Sequence, residues 1–299
     1  MIGLSLALIS TFAFALSNVC IRKGVARTGE SYSPVPISLL VGMILFALTL
    51  VISGEIRLLT ALSPSALASF ASAGIVHFVF GRTLAFTGIR LIGANRSSPI
   101  LTSNILITTI LGIVFFKESV TINLVLGFTF ITGGVLILSG ASQPVSAVRD
   151  ADDMTRLKGV LASLGGAFCW GISPMLVKLG FSGGASPLQG GFVSYVAASV
   201  VMAFSLSHRG NIEKIRKLNR HAMIPIIVGS VAVGIAQLFR YFAIEHSPIS
   251  LVAQIMATSP LFVLPLSFVI NRSIEAFSMR IIFGTIATVV GVLLIFWVA

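Results

Sequence analysis

The sequence predicts an all-α integral membrane protein with ten transmembrane helices, arranged as two inverted five-helix repeats. Of its 299 residues, 56% are hydrophobic and only 10% are charged, whereas soluble domains carry about 25% charged residues. The apolar residues fall in segments of about 20, the length needed to cross a bilayer as a helix. Features of the first half also recur about 157 residues later in the chain.

Five membrane spans are expected in each half of the chain. Those of the first half lie near residues 2–21, 35–53, 66–89, 97–116 and 120–139, and those of the second near 159–177, 188–207, 222–244, 249–270 and 277–298. Nothing shows the ten-residue alternation of a membrane barrel, which leaves a helical bundle. We therefore expect a first repeat over 1–140, a polar connecting loop over 141–158, and a second repeat over 159–299.

The second half repeats the first at nearly constant spacing. Gly127 in "LGFTFITGGVLIL" matches Gly284 in "FGTIATVVGVLLIF" at a spacing of 157, and Gly134 matches Gly291 at the same spacing. Two charged residues also recur: Glu118 matches Glu275 at 157, and Arg82 matches Arg240 at 158. Because five spans per half is an odd number, the two halves must enter the membrane in opposite orientations. Inverted repeats of this kind are typical of secondary transporters.

The segments that open and close each half carry a family resemblance. "AFCWGISPMLVKLG" in span six and "FKESVTINLVLGFTFITGGVLI" around span five resemble the ten-helix EamA-type family of the drug/metabolite transporter superfamily. The first half departs from the pattern, with Leu16-Ser17 where span six has Trp170-Gly171. The resemblance implies export or exchange of small metabolites, through a central cavity lined by helices of both halves.

The positive residues predict an orientation in the membrane. Sixteen of the 20 lysines and arginines lie in, or next to, the loops that follow the odd-numbered spans. Cytoplasmic loops are enriched in Lys and Arg, so that side is expected to be cytoplasmic. The sequence therefore predicts a multi-pass protein of the cell membrane, plasma or inner, with both termini on the non-cytoplasmic side.

The net charge of +11 does not indicate a nucleic-acid partner. Most of the positive residues lie between apolar spans, where they set topology and contact anionic lipid headgroups. The sequence has no Gly-rich phosphate loop and no zinc-ligand spacing, so neither a cofactor nor a metal is expected. Its two cysteines lie inside apolar segments and indicate buried free thiols rather than a disulfide framework.

Ionisable residues inside the spans are candidates for function, because a charge within the bilayer is costly. Arg82 and Arg240 hold matching positions in the two repeats and could bind a carboxylate or phosphate through the guanidinium fork. Both could instead extend to the membrane interface from near a helix end, and Arg240 could pair with Glu245. His77 lies near mid-span and could carry a proton, or simply form hydrogen bonds between helices.

Four further residues are candidates for contact with a substrate. Asn18, Gln237 and Gln254 could bind an amide or carboxylate, or form hydrogen bonds between helices. Trp170 could stack on a substrate ring or pack at a helix contact. No acidic residue lies at the centre of a span, although a proton-driven carrier of organic cations would need one there. Anionic or zwitterionic cargo is therefore favoured over cationic drugs.

These observations favour a secondary transporter, and an exporter of small metabolites such as amino acids. The alternatives are an exporter of drugs or other toxic small molecules, a channel, and a membrane-embedded enzyme. An enzyme would need an inward-facing catalytic set, such as paired carboxylates or a metal site, and we expect no catalytic residues. The small-residue stripes serve packing within and between chains, so a homodimer also stays open.

Overall fold

The structure, a computed structural model, describes residues 2–26, 34–92, 94–139, 152–206, 220–270 and 279–296, which form helices and their connections. In the first half, the long helices α1 (Ile2–Ala26) and α2 (Pro34–Ser53) are followed by a 3₁₀ segment (Glu55–Ala61). Predicted span three consists of α3 (Pro64–Gly74), a π-helical turn (Ile75–Gly81) and α4 (Arg82–Ile92). The remaining helices are α5 (Ala94–Thr102), α6 (Asn104–Phe116) and α7 (Ile122–Ser139).

The second half contains six described helices. They are α8 (Asp153–Phe181), α9 (Pro187–Leu206), α10 (Arg220–His246), α11 (Ile249–Met256), α12 (Ser259–Ile270) and α13 (Met279–Phe296). Local signals start several of them. Ser186 and Gln189 form reciprocal side-chain to backbone hydrogen bonds around the first turn of α9, which begins with Pro187. Ser63 caps α3, before Pro64, through its hydroxyl oxygen, which accepts from the Ala66 backbone N–H.

Seven candidate membrane spans are found among the described residues, by length and composition. Predicted spans four and five contain shorter apolar helical stretches, 100–116 and 122–134. The protein is thus a multi-pass all-helical membrane protein, and the number ten stays a prediction. Predicted spans four and nine are each interrupted within the apolar segment: α5 ends at Thr102 just before α6, and α11 ends at Met256 just before α12.

The two halves of the chain pack against each other through antiparallel helix pairs. Helix α1 runs along α10: a Cβ at Gly24 would meet the Ala222 carbonyl oxygen, and Ser10 donates to the Ala236 carbonyl at 2.7 Å. Helix α4 runs along α8 in the same manner, with Gly166 against Ala85. Span one corresponds to span six, and span three to span eight. The contact of α1 with α10 (spans one and eight) is therefore the counterpart of the contact of α8 with α4 (spans six and three).

Helices α7 and α13 cross through the glycines that the repeat predicts. A Cβ added to Gly134 would lie 2.6 Å from the Gly284 carbonyl oxygen, and one added to Gly291 would lie 2.9 Å from the Gly127 carbonyl oxygen. Only a residue without a Cβ permits such an approach of two helix backbones. Gly134 thus packs on Gly284, the repeat counterpart of Gly127, and Gly291 packs on Gly127. Because the order of the contacts is reversed along the two helices, α7 and α13 run antiparallel.

Candidate functional site

The π-helical turn places His77 in the middle of predicted span three. In such a turn the backbone hydrogen bonds join residues five apart, so Arg82, five residues after His77, lies one turn further along. The turn also directs Phe78 into the core, where its ring lies 4.6 Å from the ring of Tyr195 between centroids. Gly81 leaves room for the Trp170 indole, because a Cβ there would lie 2.6 Å from Trp170 Cδ1.

A chain of hydrogen bonds connects His77 to the second half of the protein. Trp170 of α8 donates its indole N–H to the His77 carbonyl oxygen at 3.2 Å. His77 Nε2 lies 3.2 Å from Gln237 Nε2 on α10. Arg240, one turn further along α10, donates to Gln237 Oε1 at 3.1 Å. Four of the residues singled out from the sequence thus meet at one place, from three different predicted spans.

The two arginines enter this cluster from opposite halves of the chain. Arg240 is only 4% exposed, which argues against an extension to the membrane interface. Arg82 is half-buried, donates to the Ser38 hydroxyl at 2.8 Å, and holds its guanidinium carbon 5.2 Å from the centroid of the Phe78 ring. Both guanidinium groups interact electrostatically with His77 and with Tyr195.

Neither arginine has an acidic partner in the described part of the chain. Glu245, considered above as a partner of Arg240, lies instead 3.3 Å from the ring of His246 at the end of α10. Glu118 is directed to the first turn of α11, where it accepts from the backbone N–H groups of Ile249 and Ser250. The cluster therefore carries two positive charges that no described carboxylate neutralises, and an anion would be attracted to it.

Tyr195, which the sequence analysis did not select, belongs to this cluster. Its ring packs between Phe46 and Phe78 over Gly42, where a larger residue would overlap it. Its buried hydroxyl has no hydrogen-bond partner among the described residues. A buried Tyr usually finds a partner for its hydroxyl. The sequence feature that could have pointed to this residue was therefore that it is the single tyrosine inside predicted span seven.

Asn18 and Gln254 are not joined to the cluster by hydrogen bonds between described residues. Asn18 is exposed on α1. Gln254 is fully buried in α11, just before the interruption of predicted span nine, and both ends of its amide lack a partner in the described part of the chain. Unpaired buried amides are costly in a dry core.

The described residues also contain no group of three or more metal-binding side chains.

Comparison with known proteins assigns the chain to a family. The model of the EamA-like transporter family matches residues 1–140 and 157–297. No curated protein matches the sequence. One solved structure, described only as the crystal structure of a protein, aligns with a TM-score of 0.77 over 99% of this chain and 97% of that chain, at 16% identity. At that identity the likeness shows the fold alone, while the family match confirms the resemblance found in the sequence.

Proposed function

The chain belongs to the EamA-like transporter family, and from this premise we propose that it is a secondary exporter of small anionic or zwitterionic metabolites, most simply amino acids. The two halves of the chain would act as inverted repeats that expose one central site to each side of the membrane in turn. The family is a transporter family, and we assign no enzymatic activity.

Exchangeable contacts between the halves support the inverted-repeat arrangement. Helices related by an in-plane two-fold axis must run antiparallel, and each contact must have a counterpart with the halves exchanged. The pairs α1–α10 and α4–α8 are such counterparts. The crossed glycine contacts of α7 with α13 have the same relation, residue by residue.

The interrupted helices support a site near the middle of the membrane. Predicted spans four and nine occupy corresponding positions in the two halves, and each restarts within the apolar segment, at Asn104 and at Ser259. The residues at the two junctions, Ser103 and Ala257, keep right-handed helical torsions, and their backbone N–H groups stay bonded within the chain. Each junction is thus a bend in its span, and interruptions at corresponding positions of the two halves point to the substrate site of a transporter.

The observation that carries the substrate class is the pair of arginines without acidic partners. A carboxylate could accept parallel hydrogen bonds from a guanidinium group, and Arg82 and Arg240 offer two such groups in one cluster. An amino group of a zwitterion would find its acceptors in the uncharged oxygens nearby, including that of Gln237. A cation would meet only repulsion from the two arginines.

The test is to identify which metabolites accumulate outside cells that overproduce the protein. We expect selective release of one or a few amino acids or organic anions, and loss of that release in the Arg82→Ala/Arg240→Ala double variant. Arg90→Ala is the matched control, because Arg90 is exposed near the end of the same helix as Arg82 and its loss should leave release unchanged. Release of cationic drugs, or release that the double variant retains, would contradict the proposed substrate class.

The membrane and the orientation are proposed from the charge distribution. The side with sixteen lysines and arginines would face the cytoplasm of a cell membrane, with both termini outside. Fusions of a cytoplasm-specific and an export-specific reporter to the C-terminus test this directly. Activity of the cytoplasmic reporter at that position would contradict the orientation.

A further inference from the structure

The hydrogen-bond donors and acceptors of the Arg240–Gln237–His77 chain determine the orientation of the Gln237 amide and the protonation of His77. A guanidinium has only donors, so the atom of Gln237 that faces Arg240 must be the amide oxygen. The amide NH₂ of Gln237 then faces His77 Nε2, 3.2 Å away. Because that NH₂ can only donate, His77 Nε2 must be an unprotonated acceptor. His77 is therefore a neutral imidazole with its single proton on Nδ1.

Nothing around His77 favours a second proton in this arrangement. The charged groups that act on it from other elements are Arg240 of α10 and Arg82 of α4. Trp170 of α8 contributes only an N–H donor, and the Nδ1 atom has no partner among the described residues. A proton on Nε2 would also place two donors, the imidazole N–H and the Gln237 amide, directly opposite each other.

A carboxylate bound to Arg240 would remove this obstacle. When the carboxylate takes over the Nη1–H that Gln237 Oε1 accepts, the Gln237 oxygen is no longer held by Arg240. The amide can then rotate by half a turn and present its oxygen to His77 Nε2. The Nε2 atom can now take up a proton from the aqueous phase and donate a hydrogen bond to the Gln237 oxygen. The added negative charge also offsets the two arginines.

We propose that Gln237 couples carboxylate binding at Arg240 to protonation of His77, so that an anionic substrate crosses the membrane together with a proton. This inference rests on the proposed function, because it names the coupling ion of the same site. The proton enters from the aqueous side to which the site is open and leaves, with the substrate, on the other side. During export the outward gradient of the substrate therefore drives both species out of the cell. By linkage, each ligand raises the affinity of the site for the other by the same factor.

Trp170 provides a built-in reporter of the charge on His77. The two rings lie 6.3 Å apart between centroids, and a protonated imidazole at that distance quenches indole fluorescence. Trp297 is the second tryptophan of the chain, so Trp297→Phe leaves Trp170 as the single fluorophore. The purified full-length variant is titrated with acid, and His77→Gln must abolish the transition.

The decisive comparison uses the two arginines without any ligand. Arg240→Met frees the Gln237 oxygen and removes a charge, whereas Arg82→Met removes a charge and the hydrogen bond to Ser38 but leaves the Arg240–Gln237–His77 chain in place. We expect Arg240→Met to raise the midpoint of the His77 transition by about one pH unit more than Arg82→Met, a tenfold difference in proton affinity. In a Gln237→Leu background this excess should vanish. Equal shifts in the two variants, or an excess that persists without Gln237, would overturn the relay.

A ligand arm uses acetate as the minimal carboxylate, compared with chloride at equal ionic strength. Acetate should raise the midpoint in the Trp297→Phe protein, but not when Arg240→Met or Gln237→Leu is added. Absence of this shift would overturn the coupling to carboxylates. If arginine-dependent metabolite release persists in that case, the transporter proposal stands and only the relay fails. If that release is absent, the proposed function fails, whatever the titration shows.

Discussion

At the scale of single residues, Lys178 and Glu118 hold the junction between α10 and α11. Lys178 donates through Nζ to the carbonyl oxygens of Ile244, Glu245 and Ser247, the last at 3.3 Å, which satisfies the open end of α10. Glu118 satisfies the start of α11 through the backbone N–H groups of Ile249 and Ser250 and the Ser250 hydroxyl. The tight turn between the two helices is tolerable because these two charges replace the missing backbone partners at the helix ends.

Glu118→Ala is therefore expected to lower the free energy of unfolding. Loss of hydrogen bonds to a charged group leaves buried N–H groups without partners and costs about 1.5–3 kcal/mol. Glu245→Ala is the matched control, because its contact with the exposed His246 should contribute about 0–1 kcal/mol. Unfolding followed by circular dichroism in a mild detergent measures both variants. Equal destabilisation by the two substitutions would contradict this account of the junction.

The sequence was informative about residues where membrane burial makes a polar group costly. Arg82, His77, Gln237 and Arg240 were selected for that reason, and the structure brings them together with Trp170. Their partners could not be predicted, because a hydrogen bond between spans depends on helix rotation, which composition does not encode. Tyr195 was missed because an aromatic residue inside a span is ordinary until its hydroxyl is found buried beside two arginines.

At the scale of elements, the π-helical turn and the close helix crossings determine where the site residues lie. The segment "IVHFVFG" (Ile75–Gly81) reads as an ordinary apolar helix. A wider turn differs from an α-turn only in backbone pairing, so the sequence could not predict it. Such turns occur frequently at functional sites. By contrast, the interruption of span nine has a visible sequence signal: α12 restarts at Ser259, next to Pro260, which has no backbone N–H to donate.

Gly74→Ala tests the crossing that supports this turn. A Cβ on Gly74 would overlap the backbone carbonyl of Ser194 in α9, which cannot move aside as a side chain could. We expect a loss of about 1–3 kcal/mol of stability, as for other overpacked sites. Gly133→Ala in α7 is the control, since nothing lies within 4 Å of its added Cβ; there the higher helix propensity of Ala should leave stability unchanged or raise it. The prediction fails if Gly74→Ala unfolds at the same point as Gly133→Ala.

At the scale of the whole molecule, the bundle is joined more extensively at one end than at the other. At the end that carries Glu118, α6 packs on α11, and α3 packs on both α8 and α9. At the opposite end, α4 packs on α5 and α8, while α1 packs on α10 and α12; no extensive contact joins α4 to α1 or α10 in the described part of the chain. We therefore expect the site to open at the end opposite Glu118, which the proposed orientation places on the cytoplasmic side.

Asn18 reports on that opening. It is exposed, and it lies two and a half helical turns after Ile9, which is exposed on the opposite face of α1. Because Ile9 is apolar and Asn18 polar, we expect lipid on the Ile9 face and water on the Asn18 face. In a background with Cys20→Ala and Cys169→Ala, a membrane-impermeant thiol reagent should label Asn18→Cys from the cytoplasmic side and leave Ile9→Cys unlabelled. Labelling of Asn18→Cys only from the outside, or equal labelling of both positions, would contradict this conformation.

The fold class and the family could be predicted from sequence, because hydropathy, span length and the 157-residue repeat are properties of the chain as a whole. The repeat matched Gly127 with Gly284 and Gly134 with Gly291, but that Gly134 packs on Gly284 and Gly291 on Gly127 was found only in the structure. The expected count of ten spans goes beyond the seven candidate spans found in the described residues. Substrate identity could not be predicted at this scale, because hydropathy and span length do not say which side chains contact a substrate.

Flux measurement in proteoliposomes tests the central claim most directly. The purified protein is reconstituted and assayed with a panel of labelled L- and D-amino acids, organic anions and organic cations. The account predicts saturable, stereoselective flux of an anionic or zwitterionic compound, reduced at least tenfold in Arg82→Ala/Arg240→Ala and unchanged in Arg90→Ala, as expected when buried charged contacts to a ligand are lost. Flux that does not saturate, flux of cations only, or flux that survives loss of both arginines would contradict it.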